Sequence, residues 1–298
     1  MTNQWVESIC EFGATARGTA DGLSDRDVLI VASDPCRAVE LKAHWAAEGC
    51  SVGVYSPSRF NRMCDQGSLF VQHLKFEGKL LGDSGRWLEH RLRHSQPKTS
   101  YKSDAVASVA LALPMERFRE NETVSQRLIA ADLAFVAFRN FGICHLANTG
   151  HLSFDFGEIV NRVAETLSLT GAEKELLLKL RLGKVSYRSG GACDSLDARI
   201  GELRRLLSKV FGARSLGQIS ADTPVRKLTG GYAMLRDFEA KLLANFDHTP
   251  SEKEMRDAGL GQVWNWIRDP RAYSWNVKNF SDTDTPSIDC IRRGLPST

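Results

Sequence analysis

The chain has 298 residues, 42% of them hydrophobic and 25% charged, an ordinary globular composition that excludes a collagen-like, coiled-coil or mostly disordered protein. This length suits two domains with a core that needs no disulfide or metal staples. Its 39 basic and 36 acidic residues leave a formal charge of +3, too mild to mark a nucleic-acid binder by itself.

The seven cysteines are Cys10, Cys36, Cys50, Cys64, Cys144, Cys193 and Cys290. The number is odd and no pair has CxxC spacing, which argues against a disulfide framework and a structural zinc site. A reducing cytosol is the expected compartment. No apolar run is long enough for a membrane span, and the first eleven residues carry no signal-like apolar core. The reading is a soluble, cytoplasmic protein with no membrane partner.

In chain order, Asn3 to Glu11 reads as one short helix. Phe12 to Gly22, rich in glycine and small residues, reads as a loop. Val28 to Ala32 is a β-branched run and predicts a buried strand. A helix is predicted from about Pro35 to Glu48, with Pro35 in its first turn and Gly49 at its end. Ser51 to Tyr55 predicts a second strand, residues 57 to 76 one or two helices, and Leu80-Leu81 a short third strand before Gly82-Asp-Ser-Gly85. The alternation α-β-α-β-α-β describes a small sheet layer. His90 to Ser103 is polar, holds Pro97 and several bases, and reads as a linker.

Beyond the linker almost no strand pattern remains. Residues 105–113, 124–138, 156–167, 172–185, 196–211 and 232–246 have apolar side chains three and four apart and predict helices. Pro114 and Gly142, Gly150, Gly171, Gly190 and Gly191 punctuate them. The tail from Phe280 to Thr298 is rich in Ser, Thr, Asp and Pro and is expected to be loosely ordered. The fold class expected is therefore α+β: a small mixed sheet with helices over residues 1–95, an all-α domain over 104–279, and the tail 280–298.

The segment that carries chemistry is Gly13-Ala-Thr-Ala-Arg-Gly18 followed by Ser24-Asp25-Arg26-Asp27-Val28. Two carboxylates separated by one residue at a strand edge point to one face. Such a pair can hold Mg²⁺, which prefers hard oxygen ligands. The glycine-rich turn upstream lets backbone N–H groups approach phosphate oxygens. Asp25 and Asp27 taken alone are also what a turn entering a strand would carry. Within the longer string, Gly13, Ala16, Arg17, Gly18, Ser24, Asp25 and Asp27 match in order and spacing a known pattern: Gly-Ser-x-Ala-Arg-Gly, about ten residues, then Ser-Asp-x-Asp before an apolar strand. The chain here resembles the minimal nucleotidyltransferases of the DNA polymerase β superfamily, specifically over residues 12 to 31 and more loosely over 1 to 95.

The resemblance implies a nucleotidyltransferase fold and Mg²⁺- or Mn²⁺-dependent transfer of a nucleoside monophosphate from an NTP or dNTP, with pyrophosphate leaving. It implies Asp25 and Asp27 as catalytic metal ligands. It implies nucleotide binding by the turn Gly13, Ala14, Thr15 and Arg17, with Ser24. The acceptor hydroxyl is left open among a nucleotide or oligonucleotide, RNA, a protein and a small drug. The size resembles bacterial accessory enzymes of anti-phage defence or toxin–antitoxin systems, which implies a cognate effector or antitoxin, or a homo-oligomer, as partner. Two departures stand out. The family's turn serine is Ala14, with Thr15 beside it. The family's third carboxylate belongs on the next strand, where Ser51 or Gly53 stands; Glu77 and Asp65 are the nearest spare acids. These departures support an alternative, a nucleotidyltransferase fold that binds a nucleotide or partner without chemistry.

In the helical half, Arg181, Lys184 and Arg188 share a helix face and could bind a triphosphate or RNA backbone, or form a solvated basic face. Residues 173 to 214 hold ten Lys or Arg and five Asp or Glu. Arg139 to His145 resembles the loose Arg-x(4–6)-His signature of HEPN ribonucleases, in which Arg and His serve a phosphate transition state. Trp264, Trp266 and Trp275 could stack a base, though packing is the preferred reading. His44, His73 and His151 have no metal-ligand spacing and are read as packing or solvated residues.

Overall fold

A computed structural model of the chain describes residues 6–112, 124–189, 196 and 199–212. The described residues are α+β, with one small mixed sheet of four strands. Four strands and five helices come first: β1 (Glu7–Phe12), α1 (Ala14–Arg17), β2 (Asp27–Ala32), α2 (Pro35–Ala47), β3 (Ser51–Tyr55), α3 (Pro57–Asp65), α4 (Leu69–Glu77), β4 (Lys79–Asp83) and α5 (Trp87–His94). Five further helices follow among the described residues: α6 (Lys102–Ala110), α7 (Val124–Asn148), α8 (Phe156–Thr166), α9 (Gly171–Ser189) and α10 (Ile200–Phe211).

The strand order is β3-β2-β1-β4. β1 is antiparallel to β2, with Glu7 opposite Ala32 and Phe12 opposite Asp27, and antiparallel to β4. β2 and β3 are parallel, with Asp27 beside Ser51 and Val31 beside Tyr55. Both faces of β2 are covered, which is why it reads as an unbroken apolar run rather than an alternating one. Val28, Ile30 and Ala32 pack with Ala38 and Leu41 of α2 and with Cys50 and Val52. Leu29 and Val31 pack on the opposite face with Cys10 of β1 and with Phe60, Cys64, Val71, Leu74, Leu88 and Leu92, drawn from α3, α4 and α5. Local signals place the helices. Asp34 caps α2 by accepting from the Cys36 and Arg37 amides, and Ser56 caps α3 by accepting from Arg59, each followed by proline.

Three expectations need correction. In place of the helix expected over 3 to 11, the described residues from Glu7 onward form β1, an inner strand of the sheet. Its side chains alternate, with Cys10 and Phe12 on the α3–α5 face and Ile9 on the α2 face, so the element order begins with a strand. Buried Ser8 and Glu11 disguised it, and both are satisfied by distant partners: Ser8 by Asp83 at 2.7 Å and Glu11 by Arg26 at 2.6 Å. The expected linker 90–103 begins inside α5, whose Leu88 and Leu92, four apart, are buried against the sheet. The loop 12–22 contains the short helix α1.

The described residues form two compact units. One runs to Tyr101 and includes Gly150–Asp155; the other comprises Lys102–Thr149 and the residues from Phe156 onward. In the second unit α7 packs against α6, α8 and α9. The helix expected over 124–138 runs on to Asn148, through Gly142. A Cβ at Gly142 would run into Ile159 of α8, so this glycine serves close helix approach rather than a break. No helix among the described residues is long and apolar enough to cross a membrane. The helix expected over 232–246, the three tryptophans and the tail lie outside the described residues. Cys10, Cys36, Cys50, Cys64 and Cys144 are free thiols.

Candidate nucleotide and metal site

β1 ends at Phe12, and Gly13 turns the chain with φ 79° and ψ −154°, a conformation essentially confined to glycine. Ala14–Arg17 then make one helical turn, closed by the Arg17 amide on the Gly13 carbonyl at 3.1 Å and by left-handed Gly18. Because Phe12 pairs with Asp27, the turn lies beside the start of β2. A Cβ at position 13 would stand 3.5 Å from Asp27 Oδ2, so backbone and carboxylate are neighbours. Asp25 and Asp27 are half-buried and both have interaction partners. Ser24 shapes the intervening loop. Its hydroxyl donates to Asp21 Oδ1 at 2.9 Å and accepts from the Asp21 amide at 3.0 Å.

The acids near this turn are committed elsewhere. Ser51 is the direct neighbour of Asp27 on β3 and Gly53 that of Leu29, so the adjacent strand offers no carboxylate on this face. Glu11, one residue along β1, points to the other face and bonds Arg26. Asp65 pairs with Arg91 at 3.0 Å. Among the described residues no group of three or more His, Cys, Asp or Glu side chains is placed to hold a metal. The donor chemistry present, two carboxylates and the Ser51 hydroxyl, fits a hard cation that takes its remaining ligands from water and phosphate, as Mg²⁺ does. It does not supply an all-protein cage.

Sequence reading missed a second feature: an ionic cluster behind the turn. All three guanidinium nitrogens of Arg17 have protein acceptors. Nε donates to Thr19 Oγ1 at 3.3 Å, Nη1 to Glu77 Oε2 at 2.5 Å and Nη2 to Asp155 Oδ2 at 3.2 Å. His73 Nε2 lies 2.7 Å from the same Glu77 oxygen. The His73 ring stacks on Phe154 at 4.4 Å and meets Phe12 edge-on at 5.4 Å. Burial pulls the Glu77 carboxyl upward, but the bonds and charges of His73 and Arg17 outweigh it and hold the group below its ordinary value. The one local clue was the four-residue spacing of His73 and Glu77 on α4. The partners Arg17 and Asp155 are far apart in sequence.

The other candidates belong to the second unit. Arg181 and Lys184 lie half-buried on α9, and the Lys184 ammonium sits 5.2 Å from the centre of the Phe135 ring. Arg188 follows on α9 with its side chain outside the described residues. Part of the basic excess is paired internally, as in Lys209–Glu173 at 2.8 Å and Arg199–Glu202 at 2.6 Å. Arg139 and His145 ride on the same continuous helix, where six residues turn the chain about 240° and advance it about 9 Å, so they do not share a face. His145 stacks on Phe141 instead. A cavity of about 310 Å³ in the first unit is lined by Cys64, Gly67, Arg91, His94 and Lys98 among others. It shares no residue with the Gly13–Asp27 site. The Cys10 thiol, pushed up to about 12 by burial and by Asp83 and Glu11, is not a nucleophile at neutral pH.

No protein-family model, curated protein or solved structure matches the chain.

Proposed function

We propose that the first unit carries a nucleotidyltransferase-type site, moving a nucleoside monophosphate from an NTP or dNTP to a hydroxyl of a nucleotide, oligonucleotide, RNA or protein. The observation that carries this reading is the Gly13 turn held against Asp27 by the Phe12–Asp27 register. Backbone N–H groups of a tight glycine turn suit phosphate oxygens, and the adjacent carboxylates suit the cation that accompanies a triphosphate. Asp25 and Asp27 would hold Mg²⁺ or Mn²⁺, which when bound neutralises triphosphate charge and polarises the α-phosphorus. The residues 13–18 orient the phosphates. The acceptor oxygen attacks the α-phosphorus, the bond to the bridging oxygen breaks, pyrophosphate leaves with that electron pair, and the acceptor proton passes to water.

Ser51 and Gly53 in place of an acid, and the commitment of Glu77 to Arg17 and His73, favour a second reading in which the same site binds a nucleotide without transferring it. One experiment separates the two. Purified protein is incubated with each α-³²P-labelled NTP and dNTP plus Mg²⁺ or Mn²⁺, with and without bulk RNA, beside Asp27→Ala. Label in a nucleotide, RNA or protein product from wild type alone supports transfer. No product, with nucleotide still bound in an equilibrium assay, leaves binding only. Neither product nor binding refutes both.

A further inference from the structure

Each guanidinium nitrogen of Arg17 already donates to a protein acceptor, Thr19, Glu77 or Asp155, so three of its five N–H donors are spent on the fold. The pair with Glu77 is sheltered, with side chains 20% and 12% exposed, whereas Asp155 is 43% exposed. Glu77 is fixed in turn by His73, which is clamped between Phe154 and Phe12. Phe12 is the residue immediately before the Gly13 turn. Phe154 and Asp155 belong to the short stretch Gly150–Asp155 that the chain contributes to the first unit between α7 and α8. The cluster thus grips the turn at both ends, through Phe12 before it and Arg17 at its close. A planar guanidinium with several acceptors fixed around it is well suited to such a strut, since its fork loses little freedom for each bond made.

We infer that Arg17 is a positioning residue that braces the phosphate turn from behind, and that Glu77, His73 and the stretch ending in Asp155 hold it there. Resting on the nucleotide-site reading, the assignment replaces direct phosphate contact by Arg17 with an indirect role. It makes Glu77 and His73 parts of the site through their contacts with Arg17 and Phe12. A direct contact and a strut respond oppositely when Glu77 loses its charge. If Arg17 bound phosphate, Glu77→Gln would remove a competitor and tighten nucleotide binding. If Arg17 is a strut, Glu77→Gln loosens the turn just as Arg17→Gln does.

The test is a double-mutant cycle on the affinity for each NTP and dNTP with Mg²⁺, by calorimetry on the full chain, well below each variant's melting temperature. Arg17→Gln and Glu77→Gln are each expected to weaken binding by about tenfold or more, as lost outer-shell support does elsewhere. The double variant should be no weaker than either single one, because both remove the same brace. Asp155→Asn, half-exposed and safe for folding, should weaken binding less, in the same direction. Arg17→Lys, which keeps the charge but not the fork, should not restore affinity. Unchanged or tighter binding in Glu77→Gln, or additive losses in the double variant, overturns the inference and leaves the nucleotide reading standing. Failure of wild type to bind any of these nucleotides overturns that reading and the inference with it.

Discussion

Gly142→Ala sets two effects of opposite sign against each other on one methyl group. In an open helix interior this change stabilises by about 1 kcal/mol. At position 142 the added Cβ collides with Ile159 Cγ2, and Val163 Cγ2 stands 3.6 Å away. Ile159 is fully buried and β-branched, so its χ1 has one strongly preferred well on a helix and cannot swing aside freely. One extra methyl in a close-packed interior costs about 1–3 kcal/mol, and a stiff neighbour puts this site in the upper half of that range. The net expectation is a loss of about 1–2 kcal/mol, overpacking exceeding propensity. Gly201→Ala is the control: it lies exposed on α10 with nothing within 4 Å of its added Cβ, and should gain about 0.5 kcal/mol. Urea denaturation followed by far-UV circular dichroism reads both, comparing midpoints at constant slope. In an Ile159→Ala background, itself costing about 2–5 kcal/mol, Gly142→Ala should cost nothing further. A midpoint that rises for Gly142→Ala as it does for Gly201→Ala would refute the close approach of α7 and α8.

Acid titration should reveal Glu77. Its folded carboxyl holds a proton less tightly than the ordinary value of 4.5, so its stabilisation is full above that pH and drains as pH falls through the folded value. Denaturation midpoints in this acid window should fall less steeply for Glu77→Gln than for wild type; parallel slopes would show the ion pairs contribute nothing. Gly13→Ala should cost about 1–3 kcal/mol from its φ of 79° alone and also abolish nucleotide binding, read by melting and calorimetry. Wild-type affinity in that variant would remove the turn from the site. Ser51→Asp places a carboxylate beside Asp27 in the parallel register and should raise Mn²⁺ affinity about tenfold, counted by electron paramagnetic resonance of the free ion. Unchanged affinity would mean that strand β3 does not face the cation.

The strands β2 and β3 and the helix α2 are legible in the sequence, because each announces itself locally. Val28–Ala32 is β-branched and bounded by turn residues, and Asp34-Pro35 and Gly49 mark where α2 starts and stops. The Gly13–Asp27 string was equally readable, since its glycines and paired carboxylates are close in sequence and their spacing alone implies a turn beside a strand edge. β1 was not. Glu7-Ser-Ile-Cys-Glu-Phe12 has no strand signature, and its extended form comes from hydrogen-bond ladders to β2 and β4, the latter some 70 residues away. The bases of α5 looked like a linker until Leu88 and Leu92 met the sheet. Gly142 looked like a break until Ile159 filled the space its missing side chain leaves.

The cluster behind the Gly13 turn shows the division most clearly. Local pattern is enough to say that Gly13 must turn and that Asp25 and Asp27 lie close together at the start of a strand. It says nothing of which acids remain available, because an ion pair depends on separation in space. Arg17 and Asp155 are 138 positions apart along the chain and 3.2 Å apart in the fold. Backbone preference and apolar periodicity are properties of neighbouring residues and survive in the linear text. Register, burial and the pairing of charges arise only when distant segments share one low-dielectric space, where each buried charge must find its counter-ion.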